Sequence, residues 1–175
     1  GPLGQVFIAK DQLIEDSVAV KVFDPRLLRT PVDQDQFQKT LHDIRKKNHA
    51  NVVRIHDAGV HGDHPWVSMP RPEGLSPRKL LKLRHSKEER FDREEAHRLL
   101  LDISDALRVA PHGVHGNLKP ENLLYLSDKV KITDNFVYAA FAPEALNELL
   151  EQSPYAAPEI PSGLALDSSV DVYSL

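Results

Sequence analysis

Apolar residues recur along this chain in two rhythms. Near the start, Val6-Phe-Ile-Ala9 and Val18-Ala-Val-Lys21-Val-Phe23 are β-rich runs separated by a polar turn region, and they predict two strands. From Asp33 the pattern turns helical. Phe37, Leu41 and Ile44 recur at three- and four-residue intervals, and Asp33 and Asp35 stand where acidic residues suit a helix start. Val52 to Ala58 and Trp66 to Met69 read as a strand pair, with Gly59 to Pro65 as the turn between them. Ser76-Pro77 opens a further helix, serine capping it and proline taking the first helical position. A longer helix is predicted from about Asp92, with Ala96, Leu99, Leu100, Ile103 and Leu107 as one core-facing stripe. Pro143 to Glu151 has the composition of another helix.

Length and charge narrow the picture. The 175 residues suffice for one core or two small lobes, and a net charge of −4 with both signs mixed carries no nucleic-acid or anionic-membrane signature. No run reaches the roughly 18 apolar residues of a membrane span, and no basic start leads into a hydrophobic signal segment, so a cytoplasmic setting is expected. The absence of cysteine removes disulfides, thiolate catalysis and zinc-thiolate sites together. His61-Gly-Asp-His64 offers two imidazoles and a carboxylate in a turn, which suits either a metal site or a polar hairpin tip.

The candidate chemistry lies in His115-Gly-Asn-Leu-Lys-Pro-Glu-Asn122, followed by Lys131-Ile-Thr-Asp134-Asn-Phe136. Together with Val18-Ala-Val-Lys21, these segments resemble the catalytic loop, metal-binding loop and phosphate-pairing strand of the protein kinase family, in particular the bacterial serine/threonine kinases. The resemblance covers essentially the whole chain. It implies an α+β, two-lobed protein kinase-like fold: a small β-rich N-lobe with a C helix over residues 1–69, a hinge at 70–74, and a mostly helical, C-terminally truncated large lobe over 75–175. It further implies a nucleotide site. Gly1 and Gly4 have the spacing of two glycines of the phosphate loop, although Gly-Pro-Leu-Gly also fits the remnant of a cleaved expression tag. Lys21 would pair with phosphates, Met69 would gate the back of the pocket, Lys119 would face phosphate, and Asn122 and Asp134 would be residual magnesium ligands. Because its metal partners are depleted, the favoured reading of Asp134 is a strand-end aspartate on a locked, non-switching loop. Asp171 resembles the buried aspartate that anchors the catalytic-loop backbone.

The departures from the family pattern are correlated. The general-base aspartate is replaced by Asn117, whose neutral amide cannot collect a proton, a loss of roughly 10²–10⁴ in rate. The C-helix glutamate that would hold Lys21 falls at Thr40, which is short and uncharged, leaving Asp43 one turn on as a substitute after a helix shift. Pro72 stands where a backbone N–H would meet adenine, and an unpaired buried acceptor costs about 1–3 kcal/mol. Gly116 replaces the arginine that would hold a phosphorylated activation segment, and Asn135-Phe136 replace a Phe-Gly pair. The expectation is a kinase-like interaction or regulatory module that is not an enzyme, with ATP and magnesium bound weakly or not at all. It would meet a protein partner or flanking domains of a larger chain, or associate with itself through exposed apolar faces. The alternative is an atypical, low-activity serine/threonine protein kinase that binds Mg-ATP through Lys21, Asn122 and Asp134.

Overall fold

A computed structural model describes residues 1–13, 15–71, 73–127, 129–160, 162 and 167–175. The small lobe is built on β1 (Gly4–Lys10), β2 (Ser17–Phe23), α1 (Pro31–Arg45), β3 (Asp57–His61) and β4 (His64–Pro70). The strands form one antiparallel sheet in the order β1-β2-β4-β3. The period-two rhythm of β2 buries Ala19, Lys21 and Phe23, and cross-strand pairing sets Ala19 opposite Met69 and Lys21 opposite Val67. Val6 is in turn opposite Lys21, so their side chains share a face of the sheet.

Helix α1 begins two residues before the expected Asp33. Thr30 Oγ1 accepts from the Asp33 N–H at 3.2 Å while the Asp33 carboxylate accepts from the Thr30 N–H at 2.9 Å, a reciprocal capping box with Pro31 at the first helical position. Phe37, Leu41 and Ile44 are buried, as the helical periodicity predicts. The β3–β4 hairpin is tighter than expected. Its strands run on to His61 and resume at His64, leaving Gly62-Asp63 as a two-residue loop with Gly62 at φ +62°. His64 Nδ1 meets its neighbour Asp63 at 2.6 Å at this tip. The expected strand from Val52 begins instead at Asp57, because residues 51–53 are drawn down to the large lobe. There the Val53 N–H donates to Ile132 O at 2.9 Å, the Ile132 N–H to Asn51 O at 2.8 Å, and Asn51 Nδ2 to Val130 O at 2.9 Å.

The large lobe follows with α2 (Pro77–Ser86), α3 (Arg93–Leu107), the short pair β5 (Leu123–Tyr125) and β6 (Val130–Ile132), then α4 (Val137–Ala140), α5 (Pro143–Leu150) and α6 (Ser169–Ser174). The whole is a two-lobed α+β architecture with a small β-sheet lobe and a mostly helical lobe. Ser76 and Asp92 cap α2 and α3 through their side chains. The single stripe expected on α3 divides. Ile103 and Ala106 are buried with Leu99 and Leu107 half-covered against β5 and β6, while Ala96 and Leu100 are exposed, because β5 and β6 cover chiefly the C-terminal half of the stripe. No helix among the described residues is long and apolar enough to cross a membrane.

The segment after β6 folds under α1 rather than away from it. Phe141 lies between Phe23 (centroids 5.1 Å apart) and Phe37 (5.3 Å, stacked), and Phe136 meets Phe23 edge-on at 6.1 Å. These rings join sheet, helix and segment into one core. Phe141→Ala is therefore expected to lower the unfolding free energy by about 3–5 kcal/mol, read from urea denaturation. A loss below about 1 kcal/mol would show that the segment does not hold the lobes together.

Candidate functional site

The site begins at β2. Lys21 is carried on the buried face of the strand, and its Nζ makes an ion pair with Oδ2 of Asp134, which follows β6. Both groups are almost wholly withdrawn from water, the side chains keeping 11% and 2% of their exposure, so each is tolerable only because of the other. Asp134 sits at φ +63°, a left-handed conformation that non-glycine residues adopt under constraint. Thr40 does not take part. Its hydroxyl donates to Ala139 O at 3.3 Å and accepts from Gln36 Nε2 at 3.2 Å, tying α1 to α4. Asp43 is exposed and pairs with Lys46 at 3.7 Å, so no acidic side chain of α1 replaces the missing glutamate opposite Lys21.

The loop from His115 to Asn122 is held from beneath. The Asp171 carboxylate accepts from the His115 N–H at 2.7 Å and from the Gly116 N–H at 3.0 Å. His115 is fully buried, its Nδ1 accepting from the Asn117 N–H at 3.2 Å and its Nε2 lying 2.7 Å from Thr133 O. These partners define a neutral ring with the proton on Nε2, and burial holds its pKa below the ordinary value despite the opposing pull of the Thr133 carbonyl. Gly116 has φ +71°, and a Cβ there would stand 3.1 Å from Cβ of Tyr138. The place of the absent arginine is thus closed by the Tyr138 side chain.

Asn117 is 7% exposed, and its side-chain amide has no hydrogen-bond partner among the described residues. Asn122 Nδ2 donates to Asn117 O at 2.8 Å, which leaves its carboxamide oxygen uncommitted. The Thr133 N–H donates to Asn122 O at 2.9 Å, bringing Asn122 alongside the residue that precedes Asp134. Lys119 is half-buried. Burial first, and then the Lys21 charge, pull its pKa below the ordinary value, opposed by Asp134 and Glu121.

Other sequence candidates lie at the edge of this group. Met69 is buried opposite Ala19 on β4. Gly4 opens β1, where a Cβ would come within 2.1 Å of Val22 O, so close strand approach alone demands glycine there. Pro72 lies outside the described residues. Sequence reasoning missed a cleft of about 530 Å³ that Lys119 shares with Arg26, Arg78, Glu121, Glu148 and Tyr155. In it Arg78 Nε, in the first turn of α2, meets Glu121 at 2.7 Å, a pairing between residues 43 apart in the chain that no local pattern announces.

Residues 1–175 match the family model described as "Protein kinase domain". The chain belongs to the protein kinase family. Among curated relatives, serine/threonine-protein kinase PknB of Mycolicibacterium smegmatis is 27% identical over 187 residues, covering 100% of this chain and 29% of its own length. An Aurora kinase of Yarrowia lipolytica is 29% identical over 180 residues, covering 100% of this chain and 47% of its own. The chain therefore spans under half the length of these relatives. Two crystal structures of the Mycobacterium tuberculosis PknI kinase domain, one a point mutant, superpose with TM-scores of 0.75 and 0.72 at 20% and 19% identity. They cover 99% of this chain and 66% and 64% of theirs, and at that identity show the shared fold alone.

These relatives correct one expectation. The loss of individual groups suggested a chain that is no enzyme, whereas the curated proteins it aligns with along its full length are serine/threonine-protein kinases by name.

The buried imidazole of this kinase domain gives a pH signature. Because the folded pKa is depressed, the unfolded chain takes up a proton first, so stability falls as pH drops below the ordinary value of 6.5 and continues to fall until the folded ring protonates. Urea denaturation is expected to show a loss approaching about 1.4 kcal/mol per pH unit in that window, and a flatter profile for His115→Phe. Equal slopes in the two proteins would show that the ring is not held neutral.

Proposed function

We propose that this kinase domain binds Mg-ATP between its lobes, with the lobe boundary at residues 70–74, and transfers the γ-phosphoryl group to serine or threonine hydroxyls at a low intrinsic rate. The observation that carries the reading is the meeting of Lys21 with Asp134 across the two lobes, with Asn122 tied beside them through Thr133. The names of the curated relatives support the same reaction class.

The donor set fits magnesium. A carboxylate at Asp134 and the uncommitted carboxamide oxygen of Asn122 are hard oxygen ligands, and this ion characteristically takes one or two protein oxygens and completes its shell with phosphates and water. When bound, it neutralises charge on the phosphate oxygens. The protein groups do the rest. Lys21, paired with Asp134 in this structure, would hold a phosphate oxygen instead, and the freed Asp134 carboxylate would be available to hold the ion. Lys119 places a second cation beside the transferred group, and an anion there relieves the burial and like-charge repulsion that depress its pKa. Asn117 orients the attacking hydroxyl through its free amide and leaves the proton to solvent.

The rate is low for two separable reasons. Asn117 accepts no proton in the transition state, and Thr40 does not hold Lys21 in place for phosphate. Pro72 adds weak adenine affinity, since proline has no N–H to donate.

Mg-ATP at millimolar concentration is expected to raise the thermal midpoint by several degrees. Transfer of labelled phosphate to a serine or threonine peptide is expected to be slow, abolished by Lys21→Ala, and raised roughly 10²–10⁴-fold by Asn117→Asp. Absence of transfer from both the natural chain and Asn117→Asp would overturn the proposal.

A further inference from the structure

Behind the C-terminal end of α1 lies a second cavity, of about 300 Å³, which the phosphoryl-transfer reading does not use. Its lining is of two kinds. Ile44, Val52, Val53, Ile55 and Val109 are aliphatic; Lys47, His49 and Arg54 are basic, and Asn48 and Asn135 complete the set without any carboxylate. Ile44, Val52 and Ile55 are buried whereas Lys47 and Arg54 are exposed, so the apolar residues form the floor and the cations the rim.

The positive charge of that rim is uncompensated. The carboxylates that neighbour these segments in the chain are already paired: Asp43 with Lys46 at 3.7 Å, Asp57 with Arg45 at 2.8 Å, Asp105 with Arg108 at 3.9 Å, and Asp134 with Lys21. The side chains of Lys47 and Arg54 make no ion pair or hydrogen bond among the described residues. His49 Nδ1 accepts from the Asn51 N–H at 3.2 Å, which leaves the proton of the neutral ring on Nε2 as a further donor.

Cations beside an apolar floor select a ligand that carries both complements. A simple inorganic anion would leave the floor wet, and a hydrocarbon would leave the rim unpaired, whereas an apolar body with one anionic group answers each side. Size limits the occupant to about ten non-hydrogen atoms, at roughly 30 Å³ for each water-sized portion of the space, which is one ring on a short acidic stem. A carboxylate suits the rim because its two coplanar oxygens match the parallel N–H pair of the Arg54 guanidinium, and its single charge costs less to draw from water than the double charge of a phosphate.

We propose that this cavity is a binding site for a small apolar monocarboxylate, its hydrocarbon body on the aliphatic floor and its carboxylate held by Lys47 and Arg54. Ile44 belongs to α1 of the small lobe and Val109 follows α3 of the large lobe, so one occupant touches both.

Three probes test this on the whole chain by ligand-observed NMR titration: 3-phenylpropionate, its neutral analogue 3-phenylpropanamide, and acetate. 3-Phenylpropionate is expected to bind with about millimolar affinity and at least roughly tenfold more tightly than either control, the amide reporting the charge and acetate the floor. Lys47 and Arg54 are exposed and unpaired, so the double variant Lys47→Gln with Arg54→Gln is expected to fold like the natural chain and to bind 3-phenylpropionate no better than the amide. Failure of 3-phenylpropionate to bind, equal binding of either control, or full binding retained by the double variant, as attachment at the Lys119 cleft would give, would each overturn the proposal.

Discussion

The buried ion pair between Lys21 and Asp134 is the constraint on which the rest of the structure depends. It joins the central strand of the small lobe to the loop leaving β6, so the two lobes are clamped at one point by charges that water no longer stabilises. Removing either partner would strand the other, a loss of about 3–5 kcal/mol for buried pairs generally. Around that point the chain arranges its other joints: residues 51–53 hydrogen-bonded to Val130 and Ile132, and Phe141 set between Phe23 and Phe37. The same contact defines what a nucleotide must do. In the proposed reaction it would be exchanged for phosphate and metal, so nucleotide binding would draw on the interaction that joins the lobes.

Much of this was legible in the sequence, for reasons that differ by element. Val18-Ala-Val-Lys21 announces a half-buried strand because alternation is a local property, and the fold class followed from that run with the His115 and Asp134 segments. Helix α1 was readable from Phe37, Leu41 and Ile44, yet its start was misplaced because Thr30-Pro31 lies ahead of the apolar period. Strand β3 was displaced because Val52 and Val53, apolar enough for a strand, are claimed by Ile132 nearly 80 residues later. Ala96 and Leu100 on α3 look like core from composition, but only tertiary packing decides which side of a helix is covered.

The candidate site was legible as residue types and not as partnerships. Thr40 was recognised as the wrong side chain for Lys21, but nothing local said that Asp134 would take its place or that the Thr40 hydroxyl would reach Ala139. Counting missing groups also pointed away from enzymatic activity, a reading that the names of the kinase relatives argue against. With two acids replaced, at Asn117 and Thr40, the fold still brings its lysine, amide and carboxylate together.

Gly116 and Tyr138 are mutually conditional: a Cβ at 116 would come to 3.1 Å from the tyrosine, on a backbone at φ +71° that suits glycine. Any side chain at 116 therefore asks Tyr138 to shift, and removing the Tyr138 ring would open the core beside Val114, Ala157 and Val170. A cation placed at 116 thus calls for a compensating change at 138, so the two positions are coupled in what the loop can carry.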